Sequence, residues 1–248
     1  KNMTEKTNTK TRTKTVTKKA TNRRCTAKIG SSKNSSKEMI LPLITLRALI
    51  ITPNSKLQIT AARDSSIAAF SYAQEQDEHN VAVFCQLNEA DEKPEFKDLH
   101  KTGVICNLLS MTQKDANTRQ CLISGFERIK LIEIIDDEKV PFRKARIQVL
   151  GEEVQSDKDV ADTLSVLKSC LQYAIDSSDK TSRALIEDSV PKHLISSILE
   201  ESSLSKLTDT LTQILKLDTQ TKYMLLSSLN PVERGRILIS ALNGYSYK

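Results

Sequence analysis

Apolar residues recur along this chain with two different periods, and the change falls near residue 151. Before it, short apolar runs rich in β-branched residues are interrupted by Gly, Pro, Asn or Asp, a pattern that predicts strands. The most apolar run, residues 40–53 (ILPLITLRALIITP), carries a proline near each end and no helical stripe. It predicts two short strands with a bend at Arg47 and Ala48, and it places Pro42 on an edge strand or at a strand start. Residues 56–60 predict another strand. Residues 63–78 predict a helix capped by Asp64, with Ile67, Ala69, Phe70 and Ala73 along one face. Residues 81–87 (VAVFCQL) read as a buried strand, and residues 88–98 as a polar loop. Residues 103–109, 119–124, 127–135 and 143–150 read as further strands, parted by turn formers at 114–117, at Gly125 and at Asp136-Asp137. About seven short strands and one helix close most simply as a small β-barrel or a pair of packed sheets, with the helix plugging one end.

Past Gly151 the spacing becomes helical. Val160, Leu164, Leu167, Leu171 and Ala174 form one stripe, and residues 191–200, 204–215, 219–229 and 231–242 repeat the pattern. Asp218 stands at one helix start. Asn230 followed by Pro231 gives another, a cap followed by a proline whose missing N–H costs nothing in the first turn. Tightly joined short helices predict a bundle. The fold class is therefore α+β, with a β-barrel subdomain over 38–151 and a helical bundle subdomain over 152–248.

Charge changes the picture at the N-terminus. Residues 1–37 hold twelve Lys or Arg against Glu5 alone, about +11; with a total of +6, the remainder is about −5. A tail of Thr, Lys, Ser and Asn buries too little apolar surface to offset chain entropy, so 1–37 is expected to be disordered. Its composition suits a solubilising linker, a nuclear-import or RNA-binding arm, or an organelle-targeting leader. The charges are dispersed apart from Lys18-Lys19 and Arg23-Arg24, and no aromatic residue lies among them to stack on bases, which favours the linker. The mildly acidic remainder argues against a nucleic-acid-binding core. Five scattered cysteines without a C-x-x-C pair indicate reduced, intracellular usage. No run is long enough for a membrane span, so a soluble, cytoplasmic protein is expected, with mitochondrial or nuclear placement as the alternative if the tail is a targeting segment. The chain begins at Lys1, as a processed or excised piece would.

Candidate chemistry is sparse. The six glycines form no phosphate-cradling loop, and no serine stands in G-x-S-x-G. His79, His100 and His193 are far apart in polar contexts and read as surface residues. Asp136-Asp137 and Glu152-Glu153 fall at turns and read as solvated charges. No metal-ligand spacing occurs. A non-catalytic chain without cofactor or metal is expected.

Three motifs in order resemble the amino-terminal, substrate-binding domain of Lon, the ATP-dependent protease. They are Leu41-Pro42-Leu43 with Leu46-Arg47 and Pro53; Gly125-Phe126-Glu127-Arg128-Ile129; and the final run with Lys222, Leu225-Leu226, Val232-Glu233-Arg234 and Ile237-Leu238. The resemblance covers about 40–243. Asn54 stands where the family has Gly, and Asn tolerates a left-handed backbone, so the turn survives. Thr52 replaces a common aromatic residue. The resemblance implies a PUA-like β-barrel followed by a helical bundle, and a domain that binds exposed apolar segments of unfolded or damaged proteins for an ATPase and Ser/Lys protease module outside this chain. It also implies self-association in a hexameric ring. Candidate substrate contacts are Leu43, Leu46 and Leu49 in the opening run and Phe96 and Leu99 in the long loop. The alternative is a stand-alone Lon-domain adaptor or RNA-associated protein that uses the tail as an electrostatic arm.

Overall fold

The computed structural model describes residues 38–176 and 192–244. The readings made for the tail at 1–37, for Cys25 and Pro191, and for the His193 side chain lie outside the described residues. Six strands precede the change of period: β1 (Glu38–Leu46), β2 (Lys56–Ala61), β3 (Asn80–Cys85), β4 (Thr102–Gln113), β5 (Arg119–Ile135) and β6 (Lys144–Val149), with helix α1 (Asp64–Gln74) after β2. Five helices follow among the described residues: α2 (Asp157–Asp176), α3 (Lys192–Glu200), α4 (Leu204–Ile214), α5 (Thr219–Ser227) and α6 (Pro231–Leu242).

The strands form a mixed six-stranded sheet in the order β2-β5-β4-β3-β1-β6 rather than the expected closed barrel, and β6 pairs in addition with β5. Two expectations fail for one reason. Residues 47–53 do not form a second strand: after a bend at Arg47 and Ala48, where Ala48 takes φ 48°, the chain runs as a loop that is exposed at Leu49 and buried over residues 50–53. Gly125 does not end a strand either, because 119–124 and 127–135 are parts of a single strand of 17 residues. The apolar runs were legible, but what pairs with them is supplied from elsewhere in the chain.

Strand β5 serves several partners by changing register. Its N-terminal half pairs with β2 and β4, and its C-terminal half with β6. Three register shifts leave Leu109, Phe126 and Ile132 as extra residues, and all three are exposed. Such bulges bend a strand and increase its twist, which lets one strand serve three neighbours. Pro42 sits at a similar hand-over, neither at a strand start nor on a sheet edge. Strand β1 pairs with β6 through Glu38–Pro42 and with β3 through Leu43–Leu46, so Pro42 occupies the last position before the change, and the next N–H, that of Leu43, donates to the Arg143 carbonyl at 2.9 Å.

The turn after Pro53 forms as expected. Asn54 takes φ 58°, and Gly125 lies against it: the Asn54 N–H donates to the Gly125 carbonyl and the Gly125 N–H to the Ser55 carbonyl, both at 2.9 Å. A Cβ on Gly125 would stand 2.5 Å from the Thr52 carbonyl oxygen, so glycine there reflects close backbone approach, not a turn.

Helix starts match the sequence closely. The side chains of Ser203, Asp218 and Asn230 each accept backbone N–H groups of the first turn. Asp64 is the exception: Arg63 holds the cap position without a side-chain bond, and Asp64 lies in the first turn, where its charge faces the positive end of the helix dipole. One apolar cluster packs α1 onto the sheet around Ile44, Phe70 and Cys106. A second, around Phe84, Ile105 and Ile147, fills the other face. A third lies among the helices around Leu167, Leu211 and Leu238.

Candidate functional site

Where sheet meets helices, the contact is charged and, apart from Glu152, buried. Arg128 of β5 is 4% exposed and grips Asp209 of α4 with two nitrogens, Nη2 at 2.5 Å from Oδ1 and Nη1 at 3.2 Å from Oδ2, while its Nε donates to the Leu226 carbonyl at 2.9 Å. Arg234 of α6 is fully buried. Its Nη2 donates to Glu152 Oε1 at 2.5 Å and its Nε to Thr208 Oγ1 at 3.1 Å, and Nε lies 3.7 Å from Asp209 Oδ1. The Thr52 hydroxyl donates to the Asp209 carbonyl at 2.9 Å, which ties the opening run to the same point. Two guanidiniums thus meet two carboxylates, and burial of Arg128, Arg234 and Asp209 is compensated by bidentate pairing and additional hydrogen bonds, with Glu152 closing the network from the solvent side. Burial pushes the Asp209 carboxyl up, against the pull of Arg128 and Arg234. Burial acts the same way on Glu152, but the Ser205 hydroxyl, Arg234 and Arg128 outweigh it and hold that carboxyl below its usual range.

Glu152 stays exposed outside the strands and helices, as its sequence context suggests, but it is also paired with Arg234, which the sequence does not reveal. Thr52, which replaces an aromatic residue at that position of the resemblance, makes the network contact instead of an apolar one. Nothing in the sequence marked Asp209 as buried; the signal available was an acid within the Leu204, Leu207, Leu211 stripe.

The nominated substrate contacts divide. Leu43, Leu46 and Leu99 are core residues, whereas Leu49 (37% exposed) and Phe96 (40%) face solvent. Phe96 opens a single 3₁₀ turn, Phe96–Asp98, within the expected polar loop, held by a capping box from Glu95. Leu87, at 58% exposure, joins the exposed pair: its N–H donates to the Asp98 carbonyl at 2.8 Å, so it shares the loop base with Phe96. The backbone of Ala48 and Leu49 lies against the Cys85 thiol at the end of β3. Leu49, Leu87 and Phe96 thus border the C-terminal end of β3. The sequence places Leu87 at the end of a buried strand, but β3 stops two residues earlier, at Cys85.

Beside this rim lies a cleft of about 830 Å³ between the end of β1, the start of α1 and the loop before β6. It continues into a smaller groove of about 360 Å³ bounded by β1 and β2, and the two share Thr45, Arg47 and Arg63. Arg63 donates to Thr45 Oγ1 (3.1 Å), Gln86 Oε1 (3.1 Å) and the Asp91 carbonyl (3.2 Å), all neutral acceptors.

Cys106 and Cys121 are buried free thiols whose pKa burial drives up, that of Cys121 to about 11, so neither is a nucleophile at neutral pH. His100 is half-buried instead of exposed, its ring 3.7 Å from that of Tyr223 of α5, and burial lowers its pKa. His79 is also half-buried, with φ 53°. Among the described residues, no three His, Cys, Asp or Glu stand together to hold a metal, and no helix is long and apolar enough to cross a membrane.

A mixed sheet is thus joined to a set of helices through an ion-pair network. The same fold occurs in the N-terminal domain of a Mycobacterium avium complex Lon protease, with a TM-score of 0.63 and 17% identity over 84% of this chain and 100% of that one. It occurs again in a Lon N-terminal domain protein from Xanthomonas campestris, with a TM-score of 0.57 and 12% identity over 82% and 98%. Residues 40–244 match the family model of the ATP-dependent protease La (LON) substrate-binding domain, and the chain belongs to that family. Relatives include the Lon protease of Heliobacterium modesticaldum, 27% identical over 82% of this chain and 23% of the relative. The Lon protease of Bacillus thuringiensis is 24% identical over 85% and 25%. The chain spans about a quarter of the length of these relatives.

Proposed function

We propose that this chain recognises exposed apolar segments of unfolded or damaged proteins and presents them to an ATPase and Ser/Lys protease module, in the cytoplasm and within a six-membered Lon-type ring. The observation that carries this reading is the family match over 40–244. Residues 38–151 and 152–248 act as the sheet and helical parts of one recognition module, with 1–37 as a solubilising linker; nucleic acid would meet that basic tail only in the alternative adaptor reading. The exposed rim of Leu49, Leu87 and Phe96 supplies the apolar contact. At about 25 cal/mol per Å² so small a rim binds weakly on its own, and only the surplus over the cost of association appears as affinity. Presenting several copies in a ring raises the apparent affinity by about 10² to 10⁴.

The test is binding of the purified chain to unfolded casein. Changing Leu49, Leu87 and Phe96 together to Ser should weaken binding about tenfold while leaving thermal unfolding in place, since all three are exposed. Unchanged affinity in a folded variant removes the rim from the site.

A further inference from the structure

The sheet has an open slot. Strand β2 pairs with β5 alone, so its other edge carries no described strand. Strand β1 gives its outer edge to β6 only as far as Pro42, so beyond Leu43, whose N–H is taken by Arg143, that edge is open to Leu46. Both edges border the smaller groove, through Ile44–Leu46 on one side and residues 58–61 on the other, over a floor of Ser66 and Phe70 from α1. Two strand edges across one groove are a template for an extended chain, which adds to a sheet through its own backbone hydrogen bonds.

The slot opens into the larger cleft at three arginines. Arg47 is exposed and, among the described residues, has no hydrogen bond or ion pair. Arg63 bonds only neutral oxygens. Arg143 stands 3.9 Å from Glu95, and its Nη1 is buried without a hydrogen-bond partner. The three are near enough that Arg47 and Arg143 both depress the Arg63 pKa, after burial, while Glu92 opposes them. Five acids also line the cleft, Asp64, Glu92, Asp136, Asp137 and Glu138; Asp136 and Asp137 are engaged by Lys93 at 3.9 Å and Lys144 at 2.9 Å. Within the arginine wall, among the described residues, Arg47 is thus without a bonded partner, Arg63 holds only neutral acceptors and Arg143 has a long contact to Glu95, which leaves room for a further carboxylate.

We propose that an extended polypeptide segment lies in the slot between β1 and β2, with one of its carboxylates held by Arg47, Arg63 and Arg143. This rests on the substrate-recognition reading above and adds to it a backbone-reading site and a preference for acidic or C-terminal carboxylate. Guanidinium forks match carboxylate geometry, and the strand edges accept any sequence that can extend, so the site selects unfolded chains by shape and a terminal or side-chain acid by charge.

The experiment uses the whole chain and fluorescence anisotropy with three short labelled peptides of alternating Val and Thr: one with a free C-terminal carboxylate, one amidated, and one amidated with a single internal Glu. At least one carboxylate-bearing peptide should bind more tightly than the neutral one, and which of the two does so identifies the source of the carboxylate. Arg47→Ala and Arg143→Gln should each weaken that peptide about tenfold and leave the neutral peptide unchanged. If Arg143→Gln fails to fold by circular dichroism, Arg47→Ala decides alone, since that side chain supports nothing. Equal binding of all three peptides, or a carboxylate preference that survives the substitutions, overturns the site; if casein still binds, the recognition reading stands without it. Failure of the unmodified chain to bind either casein or peptide overturns both.

Discussion

The sheet and the helices of this protein are specified by different kinds of information. Each helix from α4 to α6 begins at a residue whose own side chain closes its first turn, so its start is fixed within three or four positions of sequence. The strands obtain their limits from distant partners: β5 continues through Gly125 because the 52–55 turn lies against it, and β1 changes neighbours at Pro42. Local specification suits elements that form early, whereas non-local pairing must first meet the cost of loop closure. The two regions meet at Arg128, Asp209, Arg234 and Glu152, where neither apolar periodicity nor strand pairing sets the geometry and charge does.

That junction gives the largest expected effect. Asp209→Ala leaves Arg128 and Arg234 buried with one carboxylate fewer, and breaking a buried pair in this way costs about 3–5 kcal/mol. Urea unfolding followed separately by near-ultraviolet circular dichroism and by hydrogen exchange should show both regions losing stability together. If the helices alone weaken, the network belongs to the bundle and does not join the two regions.

A sheet-specific break comes next. Gly125→Ala drives a Cβ against the Thr52 carbonyl oxygen, which cannot move without dragging the Asn54 turn, at about 1–3 kcal/mol. Its signature is faster exchange along β2 and β5 with α2 and α6 little changed. Uniform loss over the whole chain would mean that sheet and helices unfold as one unit despite their different specification.

These positions also explain what was legible in the sequence. Period and capping revealed the order of elements and the starts of α4 to α6, because both are short-range signals. They misread Gly125 as a turn because a glycine needed for close approach looks, in one dimension, like a glycine needed for left-handed backbone. They nominated Leu43, Leu46 and Leu99 for contact, yet an apolar residue in a strand or loop has no label for which side it faces, and these three face the core. The open slot was invisible for a stronger reason: an unpaired edge is the absence of a partner, and strand propensity carries no trace of it. The arginines beside it were scattered over nearly a hundred positions, and only the fold brings them to one cleft.

The smallest effect tests the helical side. Asn230 Oδ1 accepts the N–H groups of Val232 at 2.9 Å and Glu233 at 3.1 Å, and Asn230→Ala removes both bonds at about 1 kcal/mol. Asn230→Asp keeps the acceptor and should restore the loss. Because the cap is local, amides in the first turn of α6 should exchange about fivefold faster while those of β5 stay as they were. There is one route by which it would not stay local: Arg234 lies four residues past the cap, its N–H bonded to the Asn230 carbonyl at 3.1 Å, so fraying that reached it would loosen Glu152 and Asp209 as well. Acceleration in β5 matching that in α6 would show that the junction transmits a change of one cap to the sheet, and the division between local and distant specification would then describe how the elements are encoded but not how they are held.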